Sequence, residues 1–232
     1  MANGIWESIG ALASALKKRR FSALELTDAF IKRIEANDNQ TNAILNINPK
    51  AIETAKKLDE DLAKGNTRGP LHGIPVMVKD NINTTDQMPT TVGSLALREN
   101  FAKKDAFLVE KLRLSGAIVL AKTNLSEWAN FRSVRSVSGW SSAGGQSRNP
   151  YALDRTPGGS SSGSGAAASS GYCPAAIGTE TSGSIVNPAA MNGVVGIKPT
   201  VGLISRTGIA PISFSQDTAG PLTRTVADAA RI

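Results

Sequence analysis

The sequence predicts an α/β protein built on a mixed, largely parallel sheet covered by helices, and three observations carry that prediction. First, "GIPVMVKDN" (73–81), "DAFLVEKLRLSG" (105–116) and "AIVLAKTN" (117–124) read in order as buried strand, amphipathic helix and buried strand. Strands joined through a helix in this way pair in parallel by a crossover. Second, the opening residues have helical periodicity. Third, beyond residue 140 short apolar pieces alternate with Gly and Pro, as strands and turns do. The expected organisation is a helical region over 1–65 followed by a core over 66–232.

Taken in order, Ile9, Leu12, Ala13 and Leu16 recur at helical spacing. Ser22 and Glu25 then form a capping box ahead of Leu24, Leu26, Phe30, Ile31 and Ile34, so two helices join at Phe21, the second taken to run on through "NAILNI". A third helix runs from Pro49 to about Ala63, with Gly65 just past its end. After the strand–helix–strand unit come a loop-rich segment, a Gly/Ser tract, further strand-and-turn pieces and a final amphipathic "VADAARI".

Composition narrows the function classes. The 232 residues are 41% apolar and 19% charged, enough to bury a real core. No apolar run approaches the roughly 18 residues of a membrane span, and the N-terminal charges follow the apolar part, the reverse of a secretory signal. A cytoplasmic protein is expected. One cysteine, Cys173, excludes an internal disulfide, and with a single histidine, His72, it argues against a metal centre. The net charge of +7 invites a nucleic-acid partner, but the basic residues are scattered beside amphipathic helices and no nucleic-acid motif accompanies them.

The 22 glycines exceed the usual share of about 7%, and the excess gathers in the second half. The stretch "TPGGSSSGSGAAASSG" (156–171) is almost bare of side chains. A flexible linker would not carry helix formers between folded segments. A phosphate loop fits the glycines at 158 and 163 but has Ser164 where its lysine belongs. The nucleophile elbow G-x-S-x-G is present on paper and would make Ser161 the nucleophile, but that fold needs a downstream histidine, and His72 lies upstream.

Without histidine, lysine is the remaining strong base for activating a serine. At its ordinary pKa of about 10.4 a lysine is almost wholly protonated at pH 7, so it must be buried to serve. Lys79 ends the apolar run Ile74–Val78 and meets that condition, although a strand-end lysine that merely snorkels is the plain alternative. Asp80 points to the opposite face of the strand. A competing S-x-x-K pair, Ser14 and Lys17, lies in an amphipathic helix with no glycine-rich surround. A second glycine-serine turn, "GTETSGSIV" (178–186), aims successive amides in the manner of an anion-binding nest.

These residues resemble the amidase signature family. "GIPVMVKDNI", "TPGGSSSGSGAAA" and "GTETSGSIVNPAAMNGVVGIKPT" match its three motif blocks in order, and "GPLTRTVADAA" resembles its trailing block, over roughly 66–231. The resemblance implies Lys79 as catalytic lysine, Ser160 as bridging serine behind an unusual cis bond from Gly159, and Ser184 as nucleophile. It implies an oxyanion hole from the amides of Thr181, Ser182, Gly183 and Ser184, a supporting role for Ser161, no metal and no cofactor. The reaction implied is hydrolysis of a carboxylic amide, a small-molecule substrate, through an acyl-enzyme, with no nucleic acid or membrane as partner.

Two departures accompany it. Many members carry a basic, small or cysteine residue just after the nucleophile, where this chain has Val186 and Asn187. Members are also commonly much longer, their later half completing the sheet and the substrate pocket. The resemblance thus implies a sheet incomplete at its C-terminal side, to be completed by a missing half or a second chain. Alternatives are a non-catalytic relic or interaction module, and an A-type subunit of a glutamyl-tRNA amidotransferase. "TETSGS" and "SSAGGQSRNPY" look closer to stand-alone and peptide amidases.

Overall fold

The computed structural model describes residues 4–232; the first three residues of the 1–65 region lie outside the described residues. Helix α1 (Ile9–Lys17) is capped by Ser8, and α2 (Ala23–Thr41) opens with the expected capping box between Ser22 and Glu25. α2 is shorter than expected. Asn42 adopts a left-handed φ of 50° and ends it, and the chain continues as strand β1 (Ile44–Ile47) before α3 (Ala51–Ala63). The expectation that helix runs through "NAILNI" is therefore corrected: an Asn that tolerates left-handed backbone stops the helix.

The expected strand–helix–strand unit is β2 (Pro75–Lys79), α4 (Phe107–Leu114) and β3 (Ile118–Thr123), and β2 and β3 pair in parallel. A two-strand ribbon, β4 (Trp140–Ser141) and β5 (Gly145–Gln146), lies in the loop-rich segment. Then follow α5 (Ser162–Ser169), β6 (Ala175–Glu180), α6 (Val186–Met191), β7 (Val195–Gly196), β8 (Thr218–Thr223) and α7 (Val226–Ala229). The main sheet has the order β1-β3-β2-β6-β8-β7. Its centre, β3-β2-β6, is parallel, and β1 and β8 run against their neighbours, so that β3, β2, β6 and β7 share one direction. The mixed α/β fold is as expected.

One cluster of buried apolar side chains joins the two halves of the chain. Leu12, Leu26 and Phe30 of the helical region pack with Val76, Met77, Leu120 and Ile177 of the sheet. β2, β3 and β6 are buried along their whole length, as parallel strands covered on both faces must be. The Gly/Ser tract becomes α5, a helix buried on every side against β2, β3, β6, β8 and α6. A side chain added at Gly163 would strike the backbone of Ala43 and Asn124, and one at Gly165 the backbone of Pro188. The tract is bare because backbones approach it closely. No helix among the described residues is long and apolar enough to cross a membrane.

Candidate active site

The site forms at the carboxyl ends of two neighbouring parallel strands, where ligands of open α/β sheets bind. Lys79 is the last residue of β2, and Thr179 and Glu180 close β6 beside it. The Lys79 side chain is wholly buried. Its Nζ lies 2.8 Å from Ser160 Oγ, 2.9 Å from Thr179 Oγ1 and 3.4 Å from the Thr179 carbonyl oxygen. Asn81 Nδ2 donates to the same Thr179 hydroxyl at 2.9 Å. Burial pushes the Lys79 pKa down from its ordinary value to about 7, against the opposing pull of the Glu180 and Asp217 carboxylates. No carboxylate touches the amine, which is why desolvation prevails.

Ser160 is also fully buried and sits in the turn before α5, after a cis Gly159–Ser160 peptide bond. Its carbonyl accepts the Ser126 amide at 3.0 Å, and the Gly159 amide donates to Asn187 Oδ1 at 3.1 Å. Asn187, one of the two residues in which the chain departs from the pattern after the second turn, thus ties the first glycine-serine turn to α6 behind the second. Ser161 grips β6: its hydroxyl donates to the Thr179 carbonyl and accepts the Thr179 amide, both at 3.1 Å. The Ser161 amide reaches the Ser184 carbonyl at 3.1 Å. Ser162 and Ser164 bond to the carbonyls of Gly158 and Ile177. These serines brace the turn.

The second turn leaves β6 at Thr181 and reaches Ser184, which is 8% exposed, through Gly183 at φ 84°. A side chain at Gly183 would meet nothing within 4 Å, so this glycine serves conformation rather than close packing. Glu180 Oε2 accepts the amides of Ile185 at 2.7 Å and Val186 at 3.0 Å, which fixes the far end of the turn. The amides of Ser182, Gly183 and Ser184 have no acceptor among the described residues. The structure brings Lys79 and Ser160 into direct hydrogen-bond contact. It does not do so for Ser184, whose hydroxyl makes no hydrogen bond among the described residues and is linked to the first turn through backbone alone.

Sequence reasoning passed over Thr179, Asn81, Asp217 and a second buried lysine. Lys122 on β3 is fully buried, with Nζ 2.6 Å from the Ile82 carbonyl, 3.1 Å from Thr90 Oγ1 and 3.5 Å from Asp80 Oδ1. Asp80 also accepts the amide of Thr91 at 2.9 Å, and the Thr91 hydroxyl. The two buried lysines differ in one respect: Lys122 faces a carboxylate and Lys79 only hydroxyls and a carbonyl. Asp80 does turn away from Lys79, as strand alternation requires. A cavity of about 660 Å³ adjoins the site, lined among others by Asn81, Thr179, Thr181, Arg206, Phe214 and Asp217. Among the described residues no group of three His, Cys, Asp or Glu side chains is placed to hold a metal.

A sheet with a buried lysine ending one parallel strand and a glycine-serine turn ending the next, beside a second such turn ahead of a buried helix, defines one class of protein, and the chain belongs to the amidase family: the family model described as Amidase matches residues 25–232. The relatives include amidases, a peptide amidase and A subunits of glutamyl-tRNA(Gln) amidotransferases. The chain is 54% identical to the native peptide amidase of Stenotrophomonas maltophilia, with a TM-score of 0.95 over 97% of this chain and 46% of that one. An amidase family protein from Bacillus anthracis matches at 43% identity and TM-score 0.94, over 98% and 46% of the two chains. The A-type subunit of the glutamyl-tRNA(Gln) amidotransferase of Acidothermus cellulolyticus is 46% identical over 94% of this chain and 42% of its own length. The chain spans less than half the length of these relatives.

Proposed function

We propose that this chain carries the catalytic residues of a serine amidase that hydrolyses a carboxylic amide to an acid and an amine or ammonia. The observation that carries the reading is the fully buried Lys79 amine held 2.8 Å from Ser160 Oγ, with its pKa near 7. A neutral amine has the lone pair a base needs, and near pH 7 half the molecules hold it. Lys79 takes the Ser160 proton as Ser160 takes that of Ser184, and Ser184 Oγ bonds to the amide carbonyl carbon. The 181–184 amides receive the oxyanion. The relay returns its proton to the leaving nitrogen as the C–N bond breaks, and water then cleaves the acyl ester by the same path. Catalytic hydrogen bonds often close only when substrate is present, so the open Ser184 hydroxyl is compatible with this sequence.

Of the alternatives, a stand-alone amidase acting on a peptide amide is favoured over an amidotransferase component. The peptide amidase matches at 54% identity and TM-score 0.95, the A-type amidotransferase subunit of Thermotoga maritima at 35% and 0.81. Because relatives are more than twice as long, we infer that further polypeptide, from the same or a second chain, extends the sheet beyond the half-buried β7 and completes the pocket. The test is a fluorophosphonate probe followed by peptide mapping of the labelled site. Modification of Ser184, lost in Ser184→Ala and slowed at least about 100-fold in Lys79→Ala, is the expected result. Labelling that persists in Ser184→Ala removes the nucleophile assignment, and a wild-type protein that takes no label supports the relic reading.

A further inference from the structure

Asp217 precedes β8 and belongs to none of the glycine-serine motifs. Its Oδ1 accepts the Thr181 hydroxyl at 2.5 Å, and its Oδ2 accepts the amides of Ile212 at 2.8 Å and Ser213 at 2.9 Å. Thr181 is the first residue after β6, and its neighbour Glu180 pairs with Thr218 across the β6–β8 ladder. The carboxylate therefore spans two loops at one end of adjacent strands: the 181–184 turn that leaves β6 and the cavity-lining 206–216 loop that enters β8. At the opposite end of the turn Glu180 holds the amides of Ile185 and Val186. Only these two carboxylates brace the turn among the described residues, one at each end.

We propose that Asp217 is a positioning residue for the reaction: through the Thr181 hydroxyl it fixes the start of the turn that carries Ser184, and it holds the cavity-lining loop in register with that turn. The inference rests on the amidase reading above. It assigns Asp217 a geometric task, since displacing a turn of oxyanion donors by a fraction of an ångström weakens transition-state binding far more than substrate binding. It also assigns an electrostatic task. Around Lys79 the charged groups are Asp80 just after its strand, Lys122 on β3, Glu180 on β6 and Asp217 ahead of β8, while α5 contributes none. Asp80 and Lys122 face each other, which leaves Glu180 and Asp217 as the carboxylates that raise the Lys79 proton affinity against burial.

The two tasks separate by mutation. Asp217→Asn removes the charge and turns one of the two acceptor oxygens into a donor, so the side chain can no longer accept from the Thr181 hydroxyl and the Ile212 and Ser213 amides together, while Thr181→Val removes the hydrogen bond and leaves the charge. Both are expected to lower kcat roughly tenfold or more with KM changed less than about twofold. Only Asp217→Asn moves the acid limb of the pH–rate profile, and it moves to lower pH because the lysine has lost a neighbouring negative charge. Thr181→Ser restores kcat. If Asp217→Asn keeps both kcat and the acid limb of the wild type, or if Thr181→Val shifts that limb as far as Asp217→Asn, the inference is overturned. The same limb is read without turnover by following the ¹⁵Nζ resonance of Lys79 against pH. A wild-type protein that never acylates thus removes the amidase reading, while the resonance still decides whether Asp217 sets the lysine's titration.

Discussion

At the scale of single residues, the proposed chemistry turns on one buried amine. Lys79 is neutral above pH of about 7 in the folded protein but remains protonated to about 10.4 in the unfolded chain. The unfolded state therefore holds the extra proton between those values, and stability rises with pH across that window. At pH 7 the mismatch costs up to about 4 kcal/mol, part of it offset by the bonds to Ser160 and Thr179. Lys79→Met is accordingly expected to unfold at a higher temperature than the wild type at pH 7, with the gap narrowing towards pH 10. Calorimetry at both pH values checks this, and a variant less stable at pH 7 contradicts it. Lys79 stands out as a candidate from its place at the end of an apolar strand, whereas the parts proposed for Ser160 and Ser184 come from the resemblance of their motif blocks, the local pattern alone pointing to Ser161. Thr179 and Asp217 are not legible, since nothing near a threonine in "IGTE" or an aspartate in "SQDT" marks a partner about 100 or 36 residues away.

At the scale of elements, α5 answers why a folded chain carries sixteen residues of almost bare backbone. It is a buried helix without an apolar stripe, packed on all sides by its own smallness. Gly163→Ala is expected to destabilise by about 1–3 kcal/mol, because the obstructing atoms are backbone atoms of Ala43 and Asn124 and cannot swing aside. Denaturant titration measures it, and an unchanged midpoint would show that the helix has room to move. The elements legible in the sequence are those with local signals, such as the capping box of α2 and the long apolar runs of β2 and β3. β1 is four half-buried residues whose pairing partner, β3, lies more than 70 residues away, so its strand character comes from tertiary contact and only Asn42 hints at the break.

At the scale of the whole molecule, residues 79 and 160 meet, with the turn that carries residue 184 tied beside them through backbone, because parallel strands β2 and β6 end side by side and the intervening chain returns through α5 beneath them. The fold class and the order of the motif blocks could be read from the sequence. The antiparallel strands that flank the parallel centre, β1 and β8, could not, because β1 is too short to show a period and β8, "TAGPLT", is interrupted by Gly and Pro. The central claim is that a buried lysine with a pKa near 7 activates Ser184 through Ser160, and the rate of Ser184 acylation by a fluorophosphonate as a function of pH tests it most directly. The rate should rise through a single ionisation near pH 7 and lose that ionisation in Lys79→Ala. A rate with no ionisation near pH 7, or one whose ionisation survives in Lys79→Ala, contradicts the claim.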